Sequence, residues 1–289
     1  MHGGILHVNH IKDQIHCERA YRMGLSGKGI GVAVLDTGIF LHRDFDSRVT
    51  GFADMVNRRN FAYDDCGHGT HICGIIGGSG RMSGGRYSGI APGCNLIMVK
   101  VLDRKGNGYS SDVLAGISWV LERKEQLGIR ILNISVGACS KRGMSENSAL
   151  VKGVNRAWDA GLVVVVAAGN NGPRTMSITT PGISRKVITV GCSDDDREVL
   201  VGGNRMVDYS GRGPTAACIC KPDLVAPGCS VVSCAGRADK YTIKSGTSVS
   251  TPIVSGATAL LLERYPDMTN KDVKLKLRES CTDIGLPRN

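Results

Sequence analysis

A chain of 289 residues, 42% of them hydrophobic, can bury one large core, and its length calls for no second domain. Its net charge of +10 comes from 36 basic residues dispersed along the chain with no recognised nucleic-acid motif, so a solvated basic surface is expected and nucleic acid is not an expected partner. No apolar run approaches the roughly 18 residues of a membrane-spanning helix, and eleven scattered cysteines, an odd number, fit reduced thiols better than a disulfide framework.

At the start, "MHGGILHVNHIKDQIH" lacks the basic segment and apolar core of an export signal, so a cytoplasmic location is expected, with residues 1–16 as a short extension and 17–289 as the domain. Runs rich in Val and Ile then recur without alternation: "GIGVAVLD" at 29–36, "NLIMVKVL" at 95–102, "ILNISVG" at 131–137, "LVVVVAA" at 162–168 and "VITVGC" at 187–192. Such runs read as strands buried on both faces. Helical patterns at 110–128 and 148–161 lie between them, each closing on a glycine suited to a helix end. Alternating strands and helices imply an α/β fold with a mainly parallel central sheet covered by helices, whose functional residues gather where strands end. The exits are "LDTG" at Asp36, "SVGA" at Ser135 and "AAGNNG" at Asn170.

Two glycine-rich stretches carry no cofactor. "GKGIG" at 27–31 precedes its strand instead of following it, and "GGSGRMSGGRYSG" at 77–89 lacks the Gly-Lys-Ser/Thr ending of a phosphate loop. In "CGHGTHIC", Cys66, His68, His71 and Cys73 crowd into eight residues, but cysteine and histidine one residue apart do not match zinc-site spacing.

The stretch "KSGTSVSTPIVSG" holds Ser245, Ser248, Ser250 and Ser255. Ser248 follows Gly246 and Thr247 and opens a run of apolar and small residues whose Pro252 suits a helix start. At such a start, unpaired amides favour negative charge, as beside a nucleophilic serine; capping the helix is the plainer role. A serine nucleophile needs a base and the base an orienting acid. His68, flanked by glycines ahead of an apolar helix, suits the base, and Asp36, ending a buried strand, needs a partner such as an imidazole. His71, one turn on, reads as structural.

"VAVLDTGI", "GHGTH", "AAGNNG", "KPDLVAPG" and "SGTSVSTP", in that order between about residues 20 and 285, resemble the consecutive signatures of subtilisin-like serine proteases. "GFADMVN", the short lead before the first strand and the missing signal peptide resemble most the intracellular bacterial branch. The resemblance implies a three-layer αβα sandwich and an endopeptidase acting on proteins or peptides. It implies Asp36 as orienting acid, His68 as base and Ser248 as nucleophile, with Asn170 and Thr247 serving the oxyanion. Gly106, Asn107 and Gly108 on one side, and Ser135, Val136 and Gly137 on the other, would hold a peptide as an added strand. Thr179 would form the pocket floor for the residue before the scissile bond, and Ser110 stands where relatives place a tyrosine lid.

Departures from the family pattern are informative too. Val249 and Ser250 replace two motif residues that carry no chemistry. Asp44 matches a calcium ligand of secreted relatives, but the partner loop at 77–89 lacks the expected asparagine, and "SDDDR" at 193–197 is the other acidic loop. The chemistry needs no cofactor, and a structural calcium is the one ion in question. Only 35 residues precede Asp36, too few for a folded prodomain, so "MHGGILHVNH" reads as a short inhibitory extension, and the chain stops at "GLPRN" earlier than relatives do. No membrane partner is expected, and the sequence leaves open the oligomeric state, a binding role for an inactive relative, and processing of a single precursor.

Overall fold

The computed structural model describes residues 8–137 and 146–285, so residues 1–7, Ala138 of "SVGA" and the last four positions of "GLPRN" lie outside the described residues. Helices α1 (Val8–Gln14) and α2 (Glu18–Arg22) precede strands β1 (Gly31–Asp36) and β2 (Val49–Asp54). Helix α3 (His68–Gly77), β3 (Asn95–Lys100), α4 (Ser110–Arg123), β4 (Ile129–Ile134), α5 (Ala149–Asp159), β5 (Val163–Ala167) and β6 (Ile188–Cys192) follow. The rest comprises a hairpin of β7 (Val199–Val201) and β8 (Asn204–Met206), strand β9 (Leu224–Ala226), a second hairpin of β10 (Val231–Cys234) and β11 (Tyr241–Lys244), and helices α6 (Thr247–Arg264) and α7 (Asn270–Glu279).

Seven strands form one parallel sheet in the order β2-β3-β1-β4-β5-β6-β9. The Val- and Ile-rich runs are its middle: β1, β5 and β6 are buried at every residue, because helices cover both faces. Helices α3 and α6 pack together over one face and α4 and α5 pair over the other, a three-layer αβα sandwich. Edge strand β2 is mostly half-exposed, and β9 is only three residues long, so neither shows the unbroken apolar run that marks the others. Helix α4 ends at Arg123, short of the expected 128, because the chain turns through Gly128 in the left-handed region. Helix α1 packs on the same body: Ile11 is fully buried in the main core, and Lys12 donates to Ser88.

Register lines up the strand exits. Leu35 pairs with Ile134, and Ile134 with Val166, so the next residues of each strand, Asp36, Ser135 and Ala167, lie side by side at the carboxyl edge. The order in which strands are added switches side there, with β3 on one side of β1 and β4 on the other, which is where open α/β sheets leave a crevice.

Helix α3 is held across this edge by His71, whose Nε2–H donates to Val231 O (3.1 Å), while Ser233 Oγ donates back to His71 O (2.8 Å). Complete burial drives the imidazole pKa down to about 3. An unfolded chain protonates His71 near the ordinary value of about 6.5, so the unfolded state binds more protons between the two values and stability falls as pH drops through that window. Denaturant titrations at a series of pH values should show a shallower acid loss for His71→Gln than for the wild type. Equal slopes would remove His71 as a cause.

Candidate active site

A carboxylate at the end of a fully buried strand is costly unless hydrogen-bonded. Asp36 is inaccessible to solvent, and its Oδ1 accepts from Thr37 N (2.7 Å) and faces His68 Nδ1 (2.7 Å). An Nδ1–H donated to the carboxylate leaves Nε2 as the acceptor lone pair of the ring. That Nε2 lies 3.2 Å from Ser248 Oγ. Residues 36, 68 and 248 thus form one hydrogen-bonded line from a buried charge to a half-exposed imidazole and a serine hydroxyl.

His68 reaches this line because it is the first residue of α3, entered through left-handed Gly67, which offers no side-chain cap. The capping role falls to Asp64, a residue the sequence reading did not single out. Its carboxylate accepts from Thr37 Oγ1, Cys66 N, Gly67 N, Thr70 N and Thr70 Oγ1 at 2.6–3.1 Å. Thr37 Oγ1 in turn accepts from Gly69 N (2.9 Å), tying the exit of β1 to the start of α3. A β-carbon on Gly69 would stand 2.2 Å from Gly38 O, so only glycine lets the two segments approach this closely. An acidic residue just ahead of a helix start is the sequence signal for such a role. Buried Lys100 completes the frame, its Nζ donating to Thr37 O, Leu102 O (2.8 Å) and Asp65 Oδ1 (2.7 Å).

Ser248 is the second residue of α6, and its hydroxyl faces His68. The N-cap position belongs to Gly246, which makes no side-chain cap, so capping is not the task of Ser248. Its amide is one of the first-turn N–H groups that have no partner within the helix. Pro252 is the sixth residue of α6, deeper than the helix start expected from sequence, and it removes the bond that its missing N–H would have made to Ser248 O. Of the other serines, Ser245 Oγ accepts from Ser230 N, Ser255 Oγ donates to Asn133 Oδ1, and Ser250 Oγ is buried without a partner among the described residues.

Asn170 Oδ1 accepts from Thr247 N and Thr247 Oγ1 (both 3.0 Å), which orients the amide so that Nδ2 points the other way. Thr247 Oγ1 also accepts from Gly169 N (3.1 Å). The place a β-carbon would take on Gly246 is 3.1 Å from Ser248 Oγ and 3.4 Å from Asn170 Nδ2, so the hydroxyl and the amide donor face the same space. Gly246 has φ of 141°, a backbone setting that side chains rarely adopt.

Gly106, Asn107 and Gly108 are exposed on a turn held by Asp103, whose Oδ1 accepts from Lys105 N and Asn107 N. Ser135, Val136 and Gly137 leave β4 at the same edge, grading from buried to exposed. Thr179 is buried beside them: β-carbons added to Gly137 or Gly169 would lie 2.3 and 2.4 Å from its side chain, so it fills the gap between the two glycines.

The surroundings of Asp44 do not make a calcium cage. Its carboxylate accepts from Met82 N (2.9 Å), Tyr241 Oη (2.7 Å) and Cys234 Sγ (3.7 Å), and its other neighbour is the imidazole of His42. Calcium takes six to eight oxygens, and a thiol and an imidazole are poor stand-ins. In the 193–197 loop, Asp194 and Asp195 turn to backbone amides of Gly228, Cys229 and Ser210. Cys66 and Cys73 separate from the zinc-like crowd, the first exposed and the second buried.

The sequence profile described as the Subtilase family matches residues 27–288. Serine protease AprX of Bacillus subtilis (strain 168) is 42% identical over 287 residues, covering 93% of this chain and 65% of that protein. The chain therefore spans about two thirds of that relative's length. Subtilisin DY of Bacillus licheniformis is 32% identical over 273 residues, covering 94% and 90%. Among solved structures, Sphericase superposes with a TM-score of 0.73 at 32% identity over 88% of this chain and 84% of its own.

Cys66 is an exposed thiol two residues from His68, with its pKa raised by partial burial, whereas Cys73 is sealed in the core with its thiol pushed well above the usual range. Bulky alkylating reagents should therefore reach Cys66, faster as pH rises, and slow hydrolysis by crowding the cleft. Cys66→Ser should abolish that inhibition. Undiminished sensitivity of this variant would place the inhibitory thiol elsewhere.

Proposed function

Since the chain belongs to the Subtilase family, we propose that it is a serine endopeptidase that hydrolyses proteins or peptides through an acyl-enzyme on Ser248. The observation that carries this reading is the single imidazole bridging Asp36 at 2.7 Å and Ser248 at 3.2 Å. Ser248 Oγ attacks the scissile carbonyl while His68 Nε2 takes its proton, and Asp36 stabilises the resulting imidazolium. The developing oxyanion accepts from the Ser248 N–H and from Asn170 Nδ2, whose amide is already oriented by Thr247. The imidazolium then protonates the leaving amine, and water repeats the sequence on the ester. A peptide lies as an added strand between residues 106–108 and 135–137. The chemistry runs on side chains and backbone alone, with no cofactor.

A reducing, cytoplasmic setting is supported by nine of the described cysteines, each a free thiol. Separately, no described helix is long and apolar enough to cross a membrane. The pocket before the scissile bond is shallow because Thr179 fills the space between Gly137 and Gly169, and it offers a neutral hydroxyl rather than a charge. Medium-sized apolar residues such as Leu, Met or Ala fit it better than Lys, Arg or Trp. Exposed Ser110 at the start of α4 puts no lid on the more distant subsite.

Ser248→Ala should abolish fluorophosphonate labelling and hydrolysis with unchanged circular dichroism, whereas a wild type that never labels would mark a binding protein instead of an enzyme. Asn170→Ala should lower kcat by about 10² to 10³ with little change in KM; an unchanged kcat would remove its oxyanion role.

Thr179→Gly should shift cleavage towards Phe and Tyr in a peptide library. Best cleavage after Lys or Arg in the parent protein would refute this account of the pocket.

A further inference from the structure

Among the described residues, two clusters away from Ser248 gather soft and acidic ligand groups within 4.8 Å of one another: His42, Asp44 and Cys234, and Cys192, Asp194 and Cys229. They differ in how their atoms are satisfied. In the first, both Asp44 oxygens have donors, His42 Nδ1 accepts from Asp44 N, and Nε2 faces Lys240 O, so the protein completes the cluster by itself. In the second, Asp194 Oδ1 accepts from Gly228 N, Cys229 N and Cys192 Sγ, but Oδ2 is buried with no donor among the described residues. Nearby Ser250 Oγ is buried and has no partner among the described residues, and it and Cys192 Sγ lie 2.2 and 2.9 Å from one point, the place of a β-carbon on Gly228.

We propose that Cys192, Cys229 and Asp194 bind a thiophilic divalent cation of the zinc type, clamping the segment that holds the nucleophile in place. Tetrahedral zinc with sulfur bonds of about 2.3 Å sets two sulfurs roughly 3.8 Å apart, within the spacing of this cluster. Binding forms two S–Zn bonds and one O–Zn bond to the Asp194 carboxylate and releases one proton from each thiol, with no change of oxidation state. Because the metal displaces a proton from each thiol, affinity rises with pH. Tyr209 Oη, 3.2 Å from Cys192 Sγ and 3.1 Å from Cys229 Sγ, then donates to a thiolate as an outer partner. The clamp reaches the active site through short links: Gly228 O accepts from Gly246 N (3.0 Å), and Ser230 N donates to Ser245 Oγ (2.9 Å). Cys229 lies between these two anchors.

Calorimetric titration of Zn²⁺ into the reduced full chain tests this, with Ser248→Ala to prevent self-digestion and Cys66→Ser, Cys139→Ser, Cys218→Ser, Cys220→Ser and Cys281→Ser to remove thiols elsewhere. Titrations in two buffers of different ionisation heat should give one site per chain and release of two protons, and bound metal should raise Tm. Asp194→Asn keeps an oxygen for the Gly228 and Cys229 amides, so the fold persists, and it should weaken binding by at least the roughly 10- to 100-fold that losing an outer partner costs. Tyr209→Phe should weaken it by about tenfold, and Cys234→Ser should leave it unchanged. No binding, binding undiminished in Asp194→Asn, or a site lost with Cys234→Ser would each overturn the proposal.

Discussion

The Asp36 carboxylate, sealed at the end of β1, sets the terms for the rest of the structure. A buried charge costs several kcal/mol unless donors surround it. The chain supplies two to one oxygen, the Thr37 amide and the His68 ring, while Oδ2 has no donor among the described residues. The imidazole is therefore part of how the sheet edge tolerates the charge. Its tautomer follows, because a proton on Nδ1 is the one that the carboxylate can accept.

Placing that ring takes a frame of its own. Asp64, with five donors, and Thr37, which donates to Asp64 and accepts from Gly69, lock the start of α3 onto the exit of β1. Gly38 and Gly69 allow the backbones to meet, and His71 pins the next turn to β10. Each of these contacts holds His68 without touching the space in front of Ser248.

Helix α6 delivers the serine to the same edge. It is buried along most of its length against the sheet and against α3 beside it, which leaves its N-terminus little freedom to move. Thr247 bonds Asn170, and Gly228 bonds Gly246, so the amide donor and the hydroxyl are set from opposite sides of a glycine that keeps the space between them open. Cys229 lies between the two links, Gly228 O to Gly246 N and Ser230 N to Ser245 Oγ, that hold the segment leading into Ser248.

The sequence by itself determined the layers and singled out four polar residues that the fold gathers at one sheet edge. Unbroken Val and Ile runs encode strands buried on both faces, and β1, β3, β4, β5 and β6 lie there because burial is a local property of composition and period. Strand exits, glycine-flanked helix starts and motif order mark Asp36, His68, Asn170 and Ser248, and folding brings them within hydrogen-bond reach or onto a shared space. Tertiary structure alone decided what those groups meet. Asp44 resembles a calcium ligand in sequence, yet its carboxylate is taken by Tyr241, 197 positions away. Asn170 reads in the sequence as a polar residue at a strand exit, and only Thr247, 77 positions on, orients its amide. Ser248 taken alone reads more plainly as a helix cap until His68, 180 positions earlier, arrives at its hydroxyl. Hydrogen bonds between side chains so distant along the chain leave no periodic trace, because they form only when the sheet register brings the strand ends together.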